Sequence, residues 1–188
     1  FFQPSVRIIF EMHGWAWYEQ SRQEKPFSRL ALLALDLIGL WFANGVIAVS
    51  NSFRDFLKRK TWEKSRVIGL WDPAEFNVEY VSPPKRDGLV VGYLGGNAWW
   101  QGLDALIGAA KILSRHEDIS FRIAGFEASD EQLFPKLQNI TYPGYIQREH
   151  VVEFIRGCDI MISTRVEETA GNLQFPHKVS EYMASGRA

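Results

Sequence analysis

Short apolar runs alternate with longer stretches of helical period along the whole 188-residue chain, and this alternation restricts what it can fold into. The run VRIIFEM (6–12) reads as a strand, 26–43 as a helix, VIAVS (46–50) as a strand, NSFRDFLKRK (51–60) as a helix and SRVIGL (65–70) as a strand. Ser50 or Asn51 can cap the second helix through a side-chain oxygen. The Pro- and charge-rich stretch WDPAEFNVEYVSPPKRDG then reads as a break.

A second series follows. LVVGYLG (89–95) is a continuous apolar run that suits a parallel strand covered on both faces. The helix predicted over 102–116 places Leu103, Leu106, Ile107, Ala110 and Leu113 on one stripe. Strands at 120–125, 139–145 and 159–163, a short helical piece near 129–137, a helix at 148–157 with Val151, Val152, Phe154 and Ile155 inward, and a last helix complete the pattern. The expectation is α/β: two parallel-sheet domains with helices on both faces, residues 1–80 and 89–188, joined by a linker at 81–88. In such sheets ligands sit beyond the carboxyl ends of the strands, which directs attention to loops 12–16, 95–102 and 164–176.

Composition narrows the function classes. A net charge of −1 argues against a nucleic-acid partner, which leaves a basic stripe. One cysteine, Cys158, excludes an internal disulfide and a cysteine zinc site, fits a small buried hydrophobe, and is compatible with a reducing compartment. No metal-ligand spacing such as His-Glu-x-x-His occurs. The stretch at 30–49 has the length of a membrane span, but Asp36, Asn44 and Gly45 interrupt it, so a helix ending near Ala43 and then a strand are expected. The first residues lack the marks of a signal peptide. They also lack an initiating Met, and the chain stops two residues after Gly186, so a piece of a longer protein is expected.

Four stretches bear chemistry. In FPHKVSEYMASG (175–186), Pro176 fits the first helical position, and the free N–H groups of that helix end attract anions. Lys178 adds a cation in the first turn, and Glu181 lies three residues on, on the same face. The pair either holds a phosphate and a ribose, or is an ordinary exposed pair of little energetic worth. The loop GYLGGNAWWQG (92–102) sits where a phosphate-binding turn would, although Gly92, Gly95, Gly96 and Gly102 miss the dinucleotide spacing. Trp99 and Trp100 can stack on a ring or cover the sheet edge. His13, just past a strand, can donate to a substrate hydroxyl or be satisfied by nearby backbone. Glu167 and Glu168 stand at the same rim, as ligand-facing or solvated carboxylates.

FPHKVSEYMASG resembles the Pro-x-Lys-x-x-Glu-Tyr-Met-Ala-x-Gly signature of family 4 retaining glycosyltransferases. VIAVSNSFRDFL, RVIGLWDPAEFN, VVGYLGGNAWWQGLDALIGAAKIL, FRIAGF, ITYPGYI and CDIMIS resemble other segments of that family, in its order. The resemblance implies the GT-B architecture, two Rossmann-like domains, both incomplete here, with the active site in the cleft between them. It implies metal-independent transfer, with retention, from a UDP- or GDP-linked sugar to a glycan or lipid-linked acceptor, in the cytoplasm, with peripheral attachment at the inner membrane face compatible with it. No basic amphipathic helix for such attachment stands out in the sequence.

By the same resemblance Glu181 binds the donor ribose, and Gly95, Gly96, Gln101, His177 and Lys178 surround the diphosphate. His13 faces the donor sugar. Besides Leu173, where the longer family form carries a Glu that many members lack, two positions depart from the pattern. The family carries Arg and Lys where this chain has Gly96 and Gln101, a loss of two charge-assisted contacts of about 1.5–3 kcal/mol each. Lys178 or Arg165 can compensate; otherwise donor affinity is weak. A non-catalytic member of the fold and a nucleotide-sugar epimerase therefore stay open as alternatives.

Overall fold

The computed structural model describes residues 6–16, 26–61, 65–67, 81–127, 134–167, 173 and 175–187. The outer part of the strand expected at 65–70, most of the helical piece at 129–137, and Glu168 lie outside these. The chain divides into two compact units, Phe1–Trp71 with Glu167–Phe175, and Asp72–Val166 with Pro176–Ala188.

The first unit holds strands β1 (Ile9–Met12), β2 (Gly45–Ala48) and β3 (Ser65–Val67), paired in parallel in the order β1-β2-β3. Helix α1 (Pro26–Phe42) connects β1 to β2, and α2 (Asn51–Thr61) connects β2 to β3. Asn44 ends α1 and sets the register of the strand that follows. Its backbone N–H donates to the Ile8 carbonyl, and its Oδ1 accepts the Ile8 N–H, both at 2.8 Å. Ile9 is thereby placed opposite Gly45. Asp36, the charge inside the apolar run, accepts the Ala16 N–H at 3.1 Å. No helix among the described residues is long and apolar enough to cross a membrane. Ser50 caps α2, its Oγ accepting the Phe53 N–H at 3.0 Å. Met12, Val46 and Ala48 on one sheet face pack with Leu40 and Ala43 of α1 and Phe53 and Leu57 of α2.

The second unit holds β4 (Leu89–Leu94), β5 (Ile119–Ala124), β6 (Ile140–Gly144) and β7 (Ile160–Met161), all parallel, in the order β6-β5-β4-β7. Its helices are α3 (Leu103–Ile112), α4 (Val151–Arg156) and α5 (His177–Ala184). The expected helix over 102–116 is α-helical only to Ile112 and finishes as a 3-10 turn, Leu113–Arg115. The expected helix over 148–157 begins as a 3-10 turn, Arg148–His150. The described tail of the piece at 129–137, residues 134–137, is not helical.

Both faces of this sheet are covered, as the continuous apolar run of β4 requires. Leu103, Leu106 and Ala110 of α3 pack with Val91, Tyr93, Phe121 and Ile123 on one face. Val151, Phe154 and Ile155 of α4, with Tyr182 of α5, pack with Val90, Ala124 and Met161 on the other. Cys158 belongs to this second core as a small buried hydrophobe, and burial raises its thiol pKa. Arg187 is also buried; its guanidinium donates to the carbonyls of Cys158 at 2.8 Å and Val81 at 2.7 Å.

The strand order places a topological switch point. From β4 the chain moves outward through β5 to β6, then returns to the other side of β4 to lay down β7. In an open parallel sheet the crevice for a ligand opens beyond the carboxyl ends of such a strand pair, here the segments after Leu94 and Met161.

Candidate functional site

The loop after β4 folds back over its own strand. Tyr93 is fully buried, and its hydroxyl donates to the Gly96 carbonyl at 2.9 Å. A side chain at Gly95 would place its Cβ 2.8 Å from Lys178 Nζ and 3.2 Å from Tyr93 Oη, so the ammonium reaches the loop only because residue 95 has none. At Gly96 a Cβ would meet nothing within 4 Å. The 3-10 turn Trp99–Gln101 ends at Gly102, whose φ of 67° is left-handed. A Cβ there would lie 3.0–3.2 Å from the backbone of Arg165.

That close approach joins the loop after β7 to the loop after β4. Thr164 Oγ1 donates to the Gln101 carbonyl at 2.7 Å, and the Val166 N–H donates to the Trp100 carbonyl at 3.2 Å.

Helix α5 is pinned to the same place by Tyr182, which is 3% exposed. The Leu94 N–H donates to Tyr182 Oη, and the hydroxyl donates back to the Leu94 carbonyl, each at 3.0 Å. The side chain thus satisfies both backbone groups at the end of β4. Pro176 is not the first helical residue, as expected from sequence, but the N-cap, with φ −78° and ψ 102°. Its extended ψ turns the chain into the helix, and its carbonyl accepts the first bond, from Val179 N–H at 2.9 Å.

The pinned helix brings Lys178 onto the glycine loop. Its Nζ donates to Gln101 Oε1 at 2.8 Å and stands 4.2 Å from the centre of the Tyr93 ring. Burial, with a smaller push from the neighbouring Arg165 cation, lowers the Lys178 pKa from 10.5 to about 8. Burial raises the Tyr93 pKa to about 12 against the opposing pull of Arg165. The Lys178 ammonium therefore stands beside Gly95 in a partly dehydrated spot at the switch point, within electrostatic reach of the Arg165 cation. An anion there is what would favour the charged form of Lys178.

Of the residues expected at a donor site, Lys178 meets both Gly95 and Gln101, and Gly96 follows Gly95 with open space around it. Glu181 lies one turn along α5, its carboxylate 3.5 Å from Arg148 Nη1, with side chains 20% and 63% exposed respectively. His177 is the exposed first residue of α5. His13 follows β1 in the first unit, its Nε2 3.1 Å from Glu11 Oε1. Glu167 is exposed. Trp99 and Trp100 meet edge to face with ring centres 5.8 Å apart. Trp99 also lines a cleft of about 250 Å³ with Asn97, Leu103, Asp104, Ile107 and Phe134.

Tyr93, Tyr182 and Arg148 were not anticipated as site residues. The signal for the tyrosines was available: a hydroxyl in an otherwise apolar buried run must find a partner. For Arg148 there was none, because its partner is distant in sequence.

A family model described as glycosyl transferases group 1 matches residues 88–188. No protein of curated function matches the chain in sequence. Among solved structures, TarM of S. aureus is similar at a TM-score of 0.66 and 16% identity, over 98% of this chain and 36% of that one. Sucrose-phosphate synthase from Thermosynechococcus elongatus is similar at 0.65 and 16%, over 95% and 48%. Anabaena HepE, solved with UDP-glucose, is similar at 0.64 and 19%, over 96% and 52%. The chain thus spans 36% to 52% of the length of these proteins, and it shares the fold of GT-B glycosyltransferases. The second unit being matched from its first strand to its last helix, the chain belongs to the glycosyl transferases group 1 family.

Proposed function

We propose that this chain supplies the donor site of a glycosyltransferase that moves a sugar from a UDP- or GDP-linked donor to a glycan, lipid or other acceptor, with retention and without a metal. The observation that carries the reading is Lys178 held against Gly95 and Gln101, within electrostatic reach of Arg165, at the sheet's switch point. A nucleotide diphosphate placed there meets two cations and the amino end of α5. As the bond from the sugar to the diphosphate breaks, negative charge grows on the leaving oxygen. Fixed cations in a partly dehydrated site stabilise that charge more than they stabilise the intact donor. Glu181 is assigned to the ribose hydroxyls, which donate to its carboxylate. His13 is assigned to a hydroxyl of the transferred sugar.

HepE, solved with UDP-glucose, supports a uridine donor by likeness of fold. Thermal shift of the full protein with UDP, GDP and their sugars tests the reading, followed by product analysis with a labelled donor, with and without acceptor. A rise in melting temperature for one nucleotide class and acceptor-dependent release of that nucleotide are expected. Release of an epimerised sugar without acceptor would point to the epimerase. No shift with any nucleotide would leave the fold without its donor.

A specific observation also favours the non-catalytic alternative. Gln101 stands where the resemblance puts a cation, and its amide oxygen occupies Lys178. In that case nucleotide binding is retained only weakly, and turnover is absent.

A further inference from the structure

The cation that faces Glu181 is not the one its own helix supplies. Lys178 precedes Glu181 by three residues on α5, the spacing of a helical ion pair. Its ammonium turns instead to Gln101 Oε1, at 2.8 Å, and to the Tyr93 ring. Arg148, from the loop after β6, stands at the carboxylate with Nη1 3.5 Å from Oε1.

Ion pairs near a surface are ordinarily worth little, because two mobile side chains must be held in one geometry. Here the backbone on each side is fixed against the same core. On the α5 side, Tyr182 follows Glu181, is buried, and bonds both backbone groups of Leu94. On the other side, Arg148 opens the 3-10 turn Arg148–His150 that leads into α4. Ile146 before that turn and Val151 after it both pack into the core that holds Tyr182. The root of the loop is tied as well: the Gly144 carbonyl at the end of β6 accepts the Gly125 N–H, just past β5, at 2.9 Å. The loop after β6 is thereby carried to α5, and it meets the helix at a carboxylate that is mostly buried while the guanidinium is mostly exposed.

Two consequences follow for a ligand at this end of the helix. An ionised carboxylate accepts up to about four hydrogen bonds, so it can hold a guanidinium nitrogen and hydroxyl donors together. Its negative charge, on the same helix as Lys178, would also repel a diphosphate if nothing balanced it. We propose that Arg148 is a positioning residue for nucleotide recognition, which holds the Glu181 carboxylate in place with its charge balanced, so that the site selects ribonucleoside diphosphates by their sugar hydroxyls. This rests on the donor reading and adds to it a residue from a different loop.

Calorimetric titration of the full protein with UDP and GDP, and with their 2′,3′-dideoxy forms, tests it in physiological salt, which screens the long-range pull of the exposed guanidinium on the phosphates. Wild-type protein is expected to bind the ribonucleotide about tenfold or more tighter than its dideoxy form. Arg148→Ala is expected to cut that preference about three- to fivefold, by weakening the ribonucleotide alone. Arg148→Lys is expected to restore part of it, since an ammonium supplies the charge without the planar fork. In the background of Glu181→Gln, Arg148→Ala is expected to change neither affinity. Equal weakening of both forms by Arg148→Ala overturns the proposal, because Arg148 then acts on the phosphates or on the fold, and so does no change in either. If that variant melts earlier, the ratio of the two affinities still decides, because loss of folded protein lowers both alike. Wild-type binding that ignores the hydroxyls overturns the proposal together with the role of Glu181, and leaves the diphosphate at Lys178. Absence of binding to every nucleotide removes the donor reading itself, and the proposal with it.

Discussion

Lys178 spans from helix α5 to the loop after β4, its ammonium 2.8 Å from Gln101 Oε1 and directly over the Tyr93 ring. The two residues are 77 positions apart in sequence, and their contact joins the amino end of the last helix to the glycine loop. If this ammonium holds a nucleotide diphosphate, Lys178→Ala removes a charge-assisted contact worth about 1.5–3 kcal/mol. Calorimetric titration with UDP or GDP is expected to show roughly 10- to 100-fold weaker binding, with an unchanged circular dichroism spectrum. An unaltered affinity would detach the nucleotide from this residue.

The same cation predicts a pH dependence with a definite sign. The Lys178 pKa is lowered to about 8 from 10.5, chiefly by burial. A bound diphosphate favours the charged form, so nucleotide affinity is expected to fall as pH rises above about 8, by up to tenfold per unit. Folding stability runs the other way for this group. Between the two pKa values the unfolded chain binds more protons, so its contribution to stability rises with pH across that window. Lys178→Arg keeps the charge and is expected to flatten the affinity profile, which titrations across this range would show.

Tyr182 is expected to matter through its hydroxyl. Tyr182→Phe leaves both the Leu94 N–H and the Leu94 carbonyl without their partner. Each such group costs about 1–3 kcal/mol when buried and unpaired. Urea unfolding is expected to show a loss of about 2 kcal/mol or more, together with weaker nucleotide binding as α5 loosens from β4. Equal stability would mean that water replaces the hydroxyl.

Much of this was legible in the sequence, for reasons that differ by element. The β4 strand and the α3 stripe were readable because their hydrophobic period reports burial directly: Leu103, Leu106 and Ala110 are buried. Gly95 and Lys178 were readable as candidates because a glycine loop after a strand and a cation at a helix start are local patterns. Their contact was not, because it depends on Tyr182 pinning α5 to β4 across 88 residues. The position of Pro176 was misjudged because proline suits both the first helical residue and an extended cap, and ψ alone separates them.

Gly102 and Gly96 separate backbone need from function. Gly102 has φ 67°, and a Cβ would lie 3.0 Å from the Arg165 carbonyl carbon. Gly102→Ala is expected to cost about 1–2 kcal/mol through the left-handed backbone alone, and more if the Arg165 backbone resists. At Gly96 nothing lies within 4 Å, and the residue is exposed. Gly96→Ala is therefore expected to leave the melting temperature unchanged. The informative change is Gly96→Arg, which restores a cation where relatives by resemblance carry one. The open space admits the side chain, and a guanidinium can reach a phosphate beside Lys178 without entering the core. Nucleotide affinity is expected to rise about tenfold, in line with one added charge-assisted contact. That gain is expected to shrink sharply in the background of Lys178→Ala, because both cations act on the same diphosphate. A Gly96→Arg protein that binds no tighter would place the phosphates elsewhere, whatever the effect of Lys178 on its own.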